Sequence, residues 1–311
     1  MNLRHLQLFC EVVNANLNIS AAAKALHTSQ PSVSRHMLAL ESELDVALFV
    51  RSKKRILGLT GPGEAVLESA RKVLFEIENI SQAGKVHGKE KRGNLIVAAS
   101  HTHARYSLPK VVSAFIAQYP NVRLVLRQGD PHQIAAWVAS GNADIGICAE
   151  PVERPKDIMF FPCHKHHRII LAPKDHPLAS VKKPTLSQLA KHPLITYEAP
   201  FTVHRRILEA FENKGLSPNF VLTATDVDVM KTYVRAGLGL AIVASLAHNS
   251  KDDSDLVAIE ASHLFKPDVI KIALRKGTYQ RSYTYDFIEL FAPSLAREQI
   301  QGMLFDQLSL G

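Results

Sequence analysis

Cysteine is scarce in this chain: Cys10, Cys148 and Cys163 are the only three in 311 residues. Their wide spacing excludes a disulfide framework and a CxxC metal knuckle, and reduced, partly buried thiols are expected. Long apolar runs are also missing, and none approaches the ~20 residues that span a bilayer. Polar residues break up the apolar ones from Met1 to Asn14. That speaks against a secretory leader, so a cytoplasmic protein is expected. The signatures of enzyme chemistry are lacking too: no GxSxG, P-loop, HExxH or complete GxGxxG occurs. The two glycines of AGLGLA (Ala236–Ala241) precede a strand pattern, the wrong order for a dinucleotide fingerprint. There is no internal repeat and no low-complexity tract. The expectation is a non-enzyme without cofactor or bound metal.

What is present is an ordinary globular composition, 46% hydrophobic and 21% charged, in a chain long enough for two or three domains. Net charge is +8, and the sequence pI is near 9.3. Residues 1–93 hold 13 Lys and Arg against 9 Asp and Glu, so under a third of the chain carries half the excess. The densest cluster is Arg51-Ser52-Lys53-Lys54-Arg55. Charge placed this way suits an anionic partner, although most charge runs are merely solvated.

The stretch NISAAAKALHTSQPSVSRHMLALE, Asn18 to Glu41, reads as two helices around a short polar break. Asn18 is a good N-cap for a helix from Ile19 to about Leu26. Ala21, Ala22, Ala23 and Ala25 give that helix a thin wall, which lets a second helix approach closely. His27 and Thr28 interrupt the pattern. Ser29 then caps the next helix, and Pro31 is tolerated in its first turn. Val33, Met37, Leu40 and Leu44 form one apolar stripe on it. Pro31, Ser32 and Arg35 fall on the far side, with Gln30 and Ser34 on the flank; Leu38 fits neither face. Hydroxyls, an amide and a guanidinium near a helix N-terminus suit phosphates and base edges. Thr28, Ser29, Gln30, Pro31, Ser32, Ser34 and Arg35 are therefore the expected DNA contacts.

Two short strands around Arg51, Lys53, Lys54 and Arg55 are expected to form a basic wing along the sugar-phosphate backbone. A long helix should start at Thr60 or Gly61. Val66, Ala70, Val73, Ile77 and Ile80 repeat at heptad spacing, with Leu67 and Leu74 in a second stripe. Self-pairing along that seam would set two recognition helices on successive major grooves, about 34 Å apart. The polar stretch Gly84–Asn94 reads as a linker. Beyond it, NLIVAAS, VRLVLRQ, ADIGICA, RIILA, PLITY, FVLTA, LAIVA and VIKIAL are strand candidates alternating with helical patterns. Parallel α/β layers with buried strands follow.

The segments LRHLQLFCEVV, SAAAKALHTSQPSVSRHMLALE and ALFVRSKKRILGLTGPGEAVL resemble the winged helix-turn-helix of LysR-type transcriptional regulators. Further on, HTHARYSLPKVVSAF, YPNVRLVLRQGDP, GNADIGICAE, TATDVDVMKTYVRAGLGLAIVAS and RSYTYDFIELFAP resemble the CysB-like subgroup of that family. The resemblance covers the whole chain. It implies a winged helix-turn-helix at 1–59, a dimerisation helix and hinge at 60–93, and an effector domain at 94–311. The last would be a periplasmic-binding-protein-like α/β pair, with subdomain I at 94–163 and 268–311 and subdomain II at 164–267. The crossovers are expected near Cys163–Lys165 and His263–Asp268. The implied partners are double-stranded operator DNA, a second or fourth copy of the chain, and a small anionic effector such as sulfate, O-acetylserine or N-acetylserine. The implied function is regulation of sulfur assimilation, cysteine biosynthesis or organosulfur use.

Ligands of open α/β sheets sit at the carboxyl ends of strands. Here Ser100 and Thr102, Thr202, and Thr225 with Asp226 lie at such ends, each also able to serve as an ordinary helix cap. By the resemblance, Ser100, Thr102, His103 and Thr202 would hold the effector. His103 stands where the subgroup has glutamine, and should carry charge below pH ~6.5 and so favour an anion. His166 stands in place of a tryptophan, and Val203-His204 in place of Gly-Arg. The run CHKHHR (Cys163–Arg168) offers thiol and imidazole ligands, but strand alternation puts Cys163 and His167 on one face and His164 and His166 on the other. A metal-responsive regulator and a solute-binding protein that does not bind DNA are the competing readings.

Overall fold

The computed structural model describes residues 1–52, 55–85, 92–199 and 201–305. The chain divides into two compact units, Met1–Gly88 and Lys89–Gly311. In the first, α1 (Leu3–Asn14) is capped by Asn2, whose side chain accepts from the His5 N–H. The Asn18 carboxamide accepts from the Ala21 N–H and opens α2 (Ile19–Ala25). Ser29 Oγ accepts from the Ser32 N–H and opens α3 (Gln30–Leu44), with Pro31 in its first turn. Between them the chain reverses through His27 at φ +49°. Ala22 and Ala23 are buried, whereas Ala21 and Ala25 face outward, so two of the four alanines form the thin wall. Val33, Met37 and Leu40 are buried, Leu44 partly so, and Leu38 is exposed.

β1 (Phe49–Ser52) and β2 (Arg55–Leu59) pair antiparallel, with Ser52 opposite Arg55. α4 (Gly61–Lys85) follows. The Thr60 hydroxyl fastens its start, donating to the Ala47 carbonyl and accepting from the Gly63 N–H. Gly63 is required there because a Cβ would lie 2.1 Å from the Leu48 carbonyl oxygen. The expected heptad seam on α4 is divided. Ala70 and Leu67 are buried in the core built around Phe9 and Leu48, with Val66 and Leu74 packed against it. Val73 and Ile80 are exposed. The helix packs along α1 for its first turns, and each apolar side chain covered there contributes about 1.5–3 kcal/mol to its own unit. Gly84 and Lys85 remain helical; residues 86–91 of the expected linker lie outside the described residues.

The second unit starts with β3 (Gly93–Ala99), α5 (His101–Tyr106), α6 (Leu108–Gln118), β4 (Val122–Gln128), α7 (Pro131–Ala139), β5 (Ile145–Ala149) and β6 (Ile158–His166). The chain then enters β7 (Arg168–Pro173), α8 (Leu186–Leu189), β8 (Pro193–Tyr197), α9 (Thr202–Glu212), β9 (Asn219–Ala224), α10 (Val227–Arg235), β10 (Leu240–Ala244) and β11 (Leu256–Glu260). It returns as β12 (Asp268–Arg275), α11 (Ser282–Phe291) and α12 (Arg297–Phe305). Two five-stranded sheets result, ordered β4-β3-β5-β12-β6 and β11-β7-β10-β8-β9.

All eight expected strands form, and each sheet keeps a parallel trio. The expected parallel layers are extended by antiparallel strands: β12 runs antiparallel to β5 and β6, and β7 to β10 and β11. β6 and β11 were not anticipated: Pro162 and two histidines mask the first, and the second is only five residues long. The first crossover is corrected. Cys163, His164, Lys165 and His166 belong to β6, so the chain changes sheets at His167. The return falls between Glu260 and Asp268.

Candidate functional site

On α3 the expected DNA contacts share the side away from the core. Ser29, Gln30, Pro31 and Arg35 are exposed, and Thr28, Ser32 and Ser34 are half-buried. Arg55 is exposed on the wing. Lys53 and Lys54 lie outside the described residues. Arg51 is held back: its guanidinium bonds Glu41 Oε2 on α3 at 2.8 Å. The other oxygen of Glu41 accepts from the Leu48 and Phe49 N–H groups. One carboxylate thus fastens the wing to α3.

In the second unit a cavity of about 50 Å³ opens where strand ends of the two sheets meet. β3 and α5 bring Ser100, Thr102 and His103 to it, β6 brings His166, and the start of α9 brings Thr202. Thr225 does not line it; it follows β9, the edge strand, one strand beyond β8. Ser100 precedes α5 without making a side-chain cap bond. Thr202 is the first residue of α9, and its hydroxyl donates to the Glu150 carbonyl beyond β5 at 3.0 Å. The rest of the lining is mostly apolar: Pro131, Ala149, Tyr197, Phe201, Val203, Ala244 and Ile270.

The expected charge on His103 is corrected. Burial, with His166, His164 and Arg168 nearby, pushes its imidazole down to about 3. Burial followed by His164, Arg168 and His167 pushes His166 to about 4. Both rings are neutral near pH 7, and their centroids are 5.5 Å apart. His103 Nδ1 meets Ser107 Oγ at 3.1 Å, while His166 Nε2 is buried without a hydrogen-bond partner.

The cation of the site is Arg168, which sequence reasoning passed over. It is buried, ion-paired with buried Asp268, and 5.5 Å from the centre of the Tyr197 ring. Arg206 on α9 contacts the other Asp268 oxygen at 3.3 Å. The available signal was an arginine opening the otherwise apolar strand RIILA, since a charge at a buried position must find a partner. In CHKHHR the Cys163 thiol donates to the Ile270 carbonyl and His164 Nε2 lies 2.8 Å from the Phe291 carbonyl. Among the described residues no group of three His, Cys, Asp or Glu is placed to hold a metal ion. Among them, too, no helix is long and apolar enough to cross a membrane.

Two family models match the chain. Residues 3–64 match the bacterial regulatory helix-turn-helix protein of the lysR family, and residues 88–296 match the LysR substrate binding domain. The chain is 42% identical over 304 residues to the HTH-type transcriptional regulator SsuR of Burkholderia cenocepacia, covering 98% of this chain and 99% of that one. It is 43% identical to the regulator CysB of the same organism, covering 98% and 97%. Among solved structures, the cofactor-binding domain of the Cbl transcriptional regulator is 40% identical, with a TM-score of 0.66 over 69% of this chain and 94% of that one.

Proposed function

From the premise that this chain belongs to the LysR family of bacterial regulators, we propose that it is a one-component switch that reads operator DNA and a small anion. It is a DNA-binding transcriptional regulator and not an enzyme. α3 enters the major groove with Thr28, Ser29, Gln30, Pro31, Ser32, Ser34 and Arg35, and the wing bearing Arg51, Lys53, Lys54 and Arg55 follows the backbone. The observation that carries this is the two-sided character of α3. Val33, Met37 and Leu40 are buried, while the amide of Gln30 and the guanidinium of Arg35 stand in solvent. A solvated helix has no need of that choice, whereas base edges and phosphates do.

Exposed Val73 and Ile80 on α4 support pairing of two copies, as a dimer or within a tetramer, on a near-palindromic site in the cytoplasm. The cleft at Ser100, Thr102, His103, His166 and Thr202 takes the effector, whose differential affinity for two subdomain arrangements moves the DNA-binding units. The likeness to CysB along nearly the whole chain supports control of sulfur assimilation, cysteine biosynthesis or organosulfur use. Sulfate, O-acetylserine, N-acetylserine or a similar anion is then the effector.

The test is Arg35→Ala, measured by fluorescence anisotropy on duplexes that the wild-type chain selects from a random pool. The variant should lose preference for those duplexes and keep its fold, and the salt slope should report the phosphate contacts that remain. A variant that still prefers the selected duplexes would remove α3 as the recognition helix.

A further inference from the structure

We propose that Leu38 is a base-reading residue of α3, and that it recognises the methyl group of a thymine in the major groove. This rests on the reading of α3 as the recognition helix.

The spacing of the apolar stripe leaves Leu38 out, and the structure shows where it goes. It is 55% exposed, on the side of α3 away from the core. It follows Arg35 by three residues, Ser34 by four and Pro31 by seven, a spacing that gathers all of them on one face of a helix. Single exposed leucines are common on protein surfaces and mean nothing by themselves. What separates this one is its setting. Met37 and Leu40 on either side are buried, and α3 continues to Leu44. The leucine is therefore held on a fixed backbone and not at a fraying end.

Beyond Arg35 the exposed residues of α3 are Leu38, Ala39, Ser42 and Glu43. None is a cation, and Glu43 is paired with the terminal amine of Met1. This stretch cannot hold phosphate by charge. What it presents next to Arg35 is carbon. In the major groove the apolar group that marks a base is the thymine methyl, and apolar side chains read it by contact. Long side chains on a helix lean toward its N-terminus, which brings the Leu38 side chain toward the turn that carries Arg35. The two residues are about 4.5 Å apart along the helix axis, comparable with the spacing of about 3.4 Å between base pairs. Arg35 and Leu38 then address neighbouring base pairs, the guanidinium by hydrogen bonds and the leucine by its methyl groups.

The test pairs a protein variant with a DNA variant. In duplexes that the wild-type chain selects from a random pool, each thymine is replaced singly by deoxyuridine, which lacks only the methyl group. Fluorescence anisotropy at fixed salt should show a thymine in each half-site whose replacement weakens wild-type binding roughly fourfold, as expected for one buried methyl. For Leu38→Ala the same replacement should leave affinity nearly unchanged, while replacements elsewhere act on both proteins alike. Leu38→Met keeps an apolar side chain and should keep the sensitivity. Because the side chain is exposed, both variants should melt with the wild-type chain. Wild-type and Leu38→Ala chains that respond alike at every thymine would overturn the assignment. If Arg35→Ala nonetheless abolishes selection, α3 stands as the recognition helix and only Leu38 is removed from it; if Arg35→Ala keeps selection, both readings fall together.

Discussion

The phenol oxygen of Tyr106 donates to Asp228 Oδ1 at 2.7 Å, joining residues 122 positions apart in the chain. Tyr106 ends α5, one turn beyond Thr102 and His103; Asp228 sits in the first turn of α10. The tyrosine ring packs against the core of the second sheet. Lys231 Nζ donates to the same hydroxyl at 3.1 Å and lies 5.1 Å from the ring centre. Arg105 pairs with Asp228 as well. Burial first, and then the Asp228 carboxylate, raises the pKa of the phenol and keeps it a donor. A ligand against the start of α5 and this clasp at its end act on one short helix.

Tyr106→Phe keeps the ring and removes one hydrogen bond to a charged group, an interaction of ~1.5–3 kcal/mol. Asp228 retains Arg105, so the lower part of that range applies. Effector affinity in the cleft should fall roughly tenfold, and the melting temperature by about 3–6 °C. Unchanged affinity in calorimetry would separate the clasp from the ligand site.

His103 and His166 set a dependence of stability on pH. Their folded values, about 3 and about 4, lie below the ordinary 6.5 of an unfolded histidine. Below pH ~6.5 the unfolded chain binds more protons than the folded one. The stability these neutral rings contribute is therefore full above that pH and is lost as pH falls toward 4 and then 3. His103→Gln removes one of the two groups. Urea melts between pH 7 and 5 should show a shallower decline for the variant; an identical slope would mean that His103 does not titrate this way.

Glu41→Ala should release the wing. It removes the acceptor for two backbone N–H groups and the partner of Arg51. Leaving those donors to water should cost about 1–3 kcal/mol in chemical denaturation. DNA affinity should drop as well, despite the loss of a negative charge, because an unfastened wing must be ordered on binding. Tighter DNA binding would mean that Glu41 acts only as a repulsive charge.

Local signals were the legible ones. Asn18 and Ser29 cap the helices they were expected to cap, since capping involves atoms three residues apart. Val33, Met37 and Leu40 are buried together because their spacing matches the helical period. The apolar runs became strands for the same kind of reason. Pairing direction was not legible: β12 carries an apolar run as the parallel strands β3 and β5 do, and only the return crossover makes it antiparallel to β5 and β6. Val66 and Ala70 carry a heptad spacing that also suits packing on α1, and the pattern alone cannot choose between the two.

The sequence by itself determined the helix-turn-helix, its caps, the uncovered polar side of α3 and most of the strands, because periodicity and capping act over a few residues. Only the tertiary structure decided the electrical character of the cleft. His103 is neutral because burial and residues from other strands disfavour its charge. Arg168 became the cation of the site because β12 returns to set Asp268 beside it. Desolvation and ion pairing depend on where distant segments meet, and no local pattern in the chain encodes that.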